Sequence, residues 1–582
     1  MKIQAGTNML LLLCTLLLAT GTSLEANGVP YDYTASIECL ANPLKPQYDG
    51  GIIVNPELNE GLNGWTTFGN ATIEHRKSEN NSFIVAHSRS QPHDSILQRV
   101  HLESDKLYTF SAWVQVSNGS DVPVTAVFNT PTGYVPAGAT IAESNCWTML
   151  KGGLNVDASG IAELYFESEN TMAEIWVDSI SLQPFTQEQW MSHQDQSIEK
   201  IRRSEVKIQT VDAQGNPLPN ATISIEQKAG GFPFGCAMNK LILSNTAYQN
   251  WFTSRFRVTT FENEMKWYST ETSEGHQDYS VPDAMLSFAK RHNIAVRGHN
   301  VFWDDPQNVQ GWVKSLPTKR LTTDAYWRAR NIVNRYKGQL IAWDVVNENL
   351  HFDFFERKMG PSASGIMYNW ALKTDGATPL FLNDFNTIEE SRDWKSSPKA
   401  YITRLRGIQK VQDNYKGRFG IGLESHFVTP NIPYIRSSID YLAAAKLPIW
   451  ITELDVQKGP NQAWYLEQIL REVHSHPQVQ GIVIWSAWQP QGCYRMCLTD
   501  NNFKNVATGN VVDKLLHEWG LRDFDTTSAT TDTNGFYEAS LFHGDYEVNI
   551  THPSVTNSSL VHRFNLAPRS ESQGPLQLKL SV

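Results

Sequence analysis

The stretch LPIWITELDV, Leu447 to Val456, decides the fold. Apolar residues lead into Thr452, and then two carboxylates follow, Glu453 and Asp455. A buried strand has no use for an unpaired charge, because desolvating one is very costly. LIAWDVVNENL, Leu340 to Leu350, repeats the pattern and ends on Asn347 and Glu348. Two apolar runs that each finish on a glutamate describe strands whose ends open onto a site.

Six further runs of this kind occur along the chain: PFGCAMN, FRVTTFENEMKW, IAVRGHNVFW, PLFLNDFN, FGIGLESHF and GIVIWSAW. Helical segments such as VPDAMLSFAKRH and SSIDYLAAAKL fall between them. Eight strands alternating with helices over about 290 residues predict an α/β fold, a (β/α)8 TIM barrel across 228–520. A doubly wound open sheet usually brings a Gly-rich phosphate loop at its first strand, and none is present. In the barrel reading the active site lies at the C-terminal strand ends. Seven of these ends are polar: Asn239; Glu262, Asn263 and Lys266; His299; Asn347 and Glu348; Asn383, Asp384 and Asn386; Glu424 and His426; Glu453 and Asp455. The eighth carries Trp485 and Trp488.

The remaining sequence bounds the chemistry. The chain has 582 residues and a net charge of −11, which argues against nucleic acid as a partner. Its 18 tryptophans suit stacking on sugar rings as well as core packing. Lys2 followed by MLLLLCTLLLAT and small residues reads as a signal peptide over 1–26, with a run too short for the ~20 residues that span a bilayer. Secretion to the extracellular space and no membrane contact in the mature form are therefore expected. Without that segment five cysteines remain; Cys493 with Cys497, and Cys39 with Cys146, are the plausible disulfides, and Cys236 a buried thiol. Glycosylation sequons start at Asn70, Asn80, Asn118, Asn220, Asn549 and Asn557, and none lies in 227–520. No Cys/His cluster has metal-ligand spacing, so neither metal nor cofactor is expected.

Residues 50–186 alternate apolar and polar positions, as in LYTFSAWVQV and EIWVDSISL, and predict a β-sandwich. Residues 187–205 read as a helical linker. VKIQTVDAQGNPLPNATISIEQ (206–227) precedes the barrel, and TTDTNGFYEASLFHGDYEVNITHP (530–553) follows it. Each has strands and turns but too few strands to stand alone. We expect 206–227 and 521–582 to form one split sandwich, similar to transthyretin-like domains.

Two glutamates on separate rigid strands, set among amides and aromatics, suit glycoside cleavage, in which one carboxyl protonates the leaving oxygen and the other attacks or activates water. WDVVNE, ITELDV, ENEMKW and RGHNVFW together resemble glycoside hydrolase family 10, the endo-1,4-β-xylanases, over residues 232–520. LESHF and GCYRMCLTDNNF resemble its plant branch. The resemblance implies retaining hydrolysis of cell-wall xylan, with Glu348 as acid/base and Glu453 as nucleophile. It implies that His426 and Asp455 orient that nucleophile, and that Glu262, Asn263, Lys266, His299, Trp303, Asn347 and Trp485 bind substrate. The sequence departs from the family at Asp304-Asp305-Pro306 and at Glu424, where Gln is usual. Residues 50–186 resemble xylan-binding modules, with Tyr165 and Glu167 at cleft positions and Phe68 where Arg is common. A monomer is expected. A xylan transglycosylase and a non-catalytic wall-binding protein are the rival readings.

Overall fold

A computed structural model describes residues 28–78, 81–411, 418–522, 524, 526–553, 560–569 and 571–581. The signal segment and the sequons at Asn80 and Asn557 lie outside the described residues.

The barrel strands are β1 (Phe234–Met238), β2 (Val258–Phe261), β3 (Ala295–Trp303), β4 (Ala342–Asn347), β5 (Leu380–Asp384), β6 (Phe419–Leu423), β7 (Ile449–Val456) and β8 (Val479–Ile484). All pair in parallel, each with its sequence neighbour, and β1 closes the ring on β8. Val258, Ala342, Phe381, Trp450 and Val483 pack inside. Arg297 is buried among them, over the Phe381 and Trp450 rings, and donates to Asp344 at 2.7 Å. The strand ends face one opening because every strand runs the same way.

The N-terminal module is a sandwich of two five-stranded sheets around an apolar core that includes Ile84, Phe110, Phe128, Leu164 and Ile180. It begins before residue 50: the Cys39–Cys146 disulfide and the bonds from Lys151 Nζ to the carbonyls of Asp32 and Thr34 tie the preceding strap to it.

The segment read as a helical linker is a helix, α1 (Gln187–Arg202), and it is fastened to the barrel. Thr186 and Gln189 form its capping box. Trp190 Nε1 and Gln194 Nε2 both donate to Glu472 Oε2 at 2.7 Å, and Arg436 also pairs with Glu472. Arg202 donates to the carbonyls of His474 and His476, at the C-terminal end of a barrel helix where a cation is favoured, and to that of Val479, which opens β8. These buried polar groups satisfy one another, so α1 cannot act as a flexible spacer.

The module docks directly on the barrel as well. Asn431 and Ser437 donate to the carbonyls of Gly153 and Gly152, and Lys151 pairs with Asp440 at 2.9 Å, both side chains buried. A Cβ on Gly153 would lie 2.5 Å from Pro433, so only glycine fits there.

The flanking segments form one small sandwich. Arg203–Val211 pairs antiparallel with Phe536–Phe542 and parallel with Leu576–Ser581. Thr222–Gly230 pairs with Thr526–Thr530 and with Gly544–Thr551, which continues to Leu560–Leu566. Val206, Ile208, Ile223, Ile225, Val548 and Ile550 fill its core. The barrel is inserted between its halves.

Candidate active site

The strand ends line a cleft of about 990 Å³, whose walls include Glu262, Lys266, His299, Glu348, Glu453 and Trp485. Asn263, Trp303, Asn347, His426 and Asp455 also line it, so every residue to which the family resemblance gave a catalytic, orienting or substrate-binding role in the barrel reaches one opening.

Glu453 follows the apolar run of LPIWIT. It is buried on β7, and Asn383 Nδ2 lies 2.9 Å from its Oε1. Asn383 is held in turn by Thr452 Oγ1, which donates to Asn383 Oδ1 at 2.6 Å. His299 Nε2 stands 3.7 Å from Oε1, and His426 Nε2 3.7 Å from Oε2. Burial pushes this carboxyl up, but His299, the His426 imidazolium and the Lys266 ammonium outweigh it and hold Glu453 well below the ordinary carboxylate range. Of the two glutamates it is the ionised one.

Glu348 follows β4 with a φ of 58°, a left-handed conformation that turns the residue after Asn347 out of the strand line. Its N–H donates to Asn383 O at 2.9 Å, fixing that turn. Burial raises Glu348, and the charges of Asp384 and Glu453 raise it further, so its carboxyl stays protonated well above the usual range. Two carboxyls in one cleft are thus pushed in opposite directions, the division of labour that acid and nucleophile require.

His426 carries the balance between them. Burial opposes its charge, but Asp455, Glu424 and Glu453 outweigh burial and keep the ring protonated. Its Nδ1 lies 3.1 Å from Asp455 Oδ1. Glu424 is fully buried beside Glu453, and burial together with the charge of Glu453 raises its carboxyl well above the usual range. A neutral carboxyl can both donate and accept a hydrogen bond, as the Gln amide can, although it has one donor where the amide has two.

On the opposite side Lys266 Nζ sits 4.2 Å over the Trp303 ring and 3.2 Å from Asn263 Oδ1. Glu262 accepts from Gln489 Nε2 at 2.6 Å, and burial raises its carboxyl to about 7. His299 meets Trp485 edge to face at 5.6 Å and holds Asp344 Oδ2 at 3.0 Å through Nδ1. Cations, amides and flat rings at these positions can grip a chain of sugar hydroxyls.

Asp304 does not enter the cleft. It is buried under the β4 loop, accepts from Asn349 Nδ2 and from the Phe355 N–H, and so anchors the loop that follows Glu348. Sequence reasoning gave no role to Asp344, Gln489 or Arg495, and gave Asn383 only its place at a strand end. Asp344 was legible as a charge inside the apolar run of β4; the other two lie in loops where no periodicity marks them.

Tyr165 differs from the expectation. Its ring is only 2% exposed and stacks at 3.9 Å on Phe68, while its hydroxyl donates to Glu167 at 2.6 Å. Phe68 covers one face of the ring, and little of Tyr165 is left open to a ligand. The Cys39–Cys146 and Cys493–Cys497 disulfides are formed, and Cys236 is a buried thiol. Asn70, Asn118, Asn220 and Asn549 are all exposed.

Comparison with known proteins agrees with this geometry. Residues 223–507 match the glycosyl hydrolase family 10 profile, and residues 50–173 match a carbohydrate binding domain. The chain is 38% identical over 561 residues to endo-1,4-beta-xylanase 5-like of Arabidopsis thaliana, covering 95% of each chain. It is 42% identical over 467 residues to endo-1,4-beta-xylanase 5 of the same plant, covering 79% of this chain and 82% of the relative. With that likeness along nearly its whole length, and with both glutamates facing one cleft at the ends of β4 and β7, the chain belongs to glycosyl hydrolase family 10.

Proposed function

We propose that this protein is a secreted, retaining endo-1,4-β-xylanase that cuts cell-wall xylan by double displacement. The observation that carries the reading is the opposed pair: Glu348 held protonated and Glu453 held ionised in one cleft. In the first step Glu453 attacks the anomeric carbon while Glu348 gives its proton to the leaving oxygen. The new ester removes the Glu453 charge, so Glu348 loses a neighbour that had favoured its proton. It then takes a proton from water, which attacks the anomeric carbon and releases Glu453. Lys266, Glu262 and Asn263 are suited to the hydroxyls of the sugar on the non-reducing side. The names of the Arabidopsis relatives support xylan as substrate. The disulfides and the N-terminal apolar run support secretion.

Glu453→Gln is expected to abolish turnover of xylan with the melting temperature nearly unchanged. Glu348→Ala is expected to lose xylan cleavage by several orders of magnitude, to spare aryl xylobiosides with good leaving groups, and to be rescued by azide with a β-configured azide product. NMR of the first-formed product tests retention: an inverted anomer sinks the double-displacement reading. The same assay with added xylo-oligosaccharide measures how much of the intermediate goes to a sugar acceptor, and transfer exceeding hydrolysis would make the protein a transglycosylase.

A further inference from the structure

The turn closed by the Cys493–Cys497 disulfide sits at the cleft rim, and one of its residues reaches behind the reacting carboxylate. Arg495 Nε donates to Asp455 Oδ1 at 2.6 Å, and its Nη2 donates to Phe427 O at 2.5 Å. Asp455 Oδ1 is the same atom that faces His426 Nδ1, and Phe427 is the neighbour of His426 in the chain. Arg495 thus holds both ends of the His426 environment, the carboxylate that orients the ring and the backbone that carries it. His426 Nε2 then faces Glu453.

The turn itself is fixed. Gln462 Nε2 donates to Arg495 O at 3.0 Å and to Val456 O at 2.7 Å, and Thr508 Oγ1 donates to Cys497 O at 2.5 Å. The disulfide closes the ring between these anchors. A side chain as long as arginine ordinarily loses much conformational entropy when held in one geometry. Here the short closed turn and a planar fork with two separate acceptors keep it in place.

We propose that Arg495 is a positioning residue for Glu453, acting through Asp455 and His426, and that the disulfide turn exists to hold it there. This rests on the reading of Glu453 as nucleophile. The charged groups around the relay are known. The His426 ring faces Asp455, Glu453 and Glu424, and the residue's backbone N–H donates to Glu389 Oε1. Glu453 also faces His299 and feels Lys266, with Glu348 across the cleft. Arg495 is the cation on the solvent side of Asp455, and its loss leaves the relay less positive and free to rotate.

The test is the rate of covalent trapping by a 2-deoxy-2-fluoroxylobioside with an activated aryl leaving group. That reaction forms the bond from Glu453 to the anomeric carbon and expels the aryl oxide, so it reports the nucleophile alone. Arg495→Met should slow trapping about 10- to 100-fold, the scale of a small misplacement of a reacting group. Its acid limb should move to higher pH because a cation near the carboxylate is lost. Arg495→Lys should restore the acid limb and part of the rate, which a merely structural role would not produce. Cys493→Ser combined with Cys497→Ser keeps Arg495 but frees the turn. It should slow trapping with the acid limb unmoved, and it serves as the second measure if Arg495→Met does not fold. A wild-type rate and acid limb in Arg495→Met overturn the inference, as does a wild-type rate in the double cysteine variant. No trapping in the wild-type protein overturns the nucleophile assignment and this inference with it.

Discussion

At the scale of single residues, the site runs on two carboxyls with opposed environments. The proposed first step needs Glu348 protonated and Glu453 ionised. Burial and like charge raise the first; His299, His426 and Lys266 lower the second. The pH profile of kcat/KM should therefore be a broad bell. Its acid limb should lie below the ordinary glutamate value of about 4.3, and its alkaline limb above it. A profile whose limbs both fall near that value would contradict the assignment. Tyr494 offers a second check. It lines the cleft, is 94% exposed, and is carried by the disulfide turn. An aromatic ring held out in water at a sugar-binding rim is placed to stack on the chain. Tyr494→Ala should raise KM for polymeric xylan about 2- to 10-fold, matching the roughly 0.5–1.5 kcal/mol of one ring contact, and leave aryl xylobioside kinetics nearly unchanged. The two glutamates were legible from sequence because each breaks an apolar run at its end. Arg495 was not, because its partner Asp455 is 40 residues away and only the fold brings them together.

At the scale of elements, the loops after β4 and β5 are joined by one histidine. His351 Nδ1 meets Asp384 Oδ1 at 2.6 Å, and its Nε2 meets Asp393 Oδ2 at 2.8 Å. Its ring stacks at 3.8 Å on Phe385, which lines the cleft. Burial lowers this imidazole, but the two carboxylates outweigh it and raise it to about 9. A raised histidine stabilises the fold fully below its unfolded pKa of about 6.5, and that contribution disappears as pH rises through the folded value. Thermal unfolding should show a loss of stability between about pH 6.5 and 9, of order 2 kcal/mol after allowance for partial exposure. His351→Gln should flatten that slope; an unchanged slope would show that another group titrates. The barrel strands could be read in the sequence because both faces of a parallel strand are covered, which leaves a continuous apolar run. The role of α1 could not. Its polar composition resembles a solvated linker, and only Glu472 and the carbonyls after His474 show that those polar groups are spent inward.

At the scale of the whole molecule, the parts are welded rather than strung. The module is fixed to the barrel through Lys151–Asp440 and the Gly152 and Gly153 carbonyls, and α1 through Glu472. The small sandwich needs both flanks, since Thr222–Gly230 lies between Thr526–Thr530 and Gly544–Thr551. Deleting everything after Gly520 should leave its N-terminal strands with open edges, lowering solubility and exposing apolar surface to dye, while purified soluble protein keeps its activity on aryl xylobiosides. Retained solubility with no dye binding would argue against mutual dependence. Both flanks carry alternation and turn residues, so the split sandwich could be read as a pattern; its register could not, because a one-residue slip is decided by the partner strand.

That split has a consequence for biosynthesis. Thr210 pairs with Gly535 across 325 positions of chain. At roughly 5–20 residues per second of translation, the first half waits on the order of 15–65 s for its second. Throughout that interval the barrel is being made between them, and the early strands stand with unmatched hydrogen-bonding edges in the crowded compartment where the chain emerges. Asn220 lies exposed in the turn between the two early strands and donates its N–H to Thr531 O at 3.1 Å, so even that turn is completed only when the C-terminal half arrives.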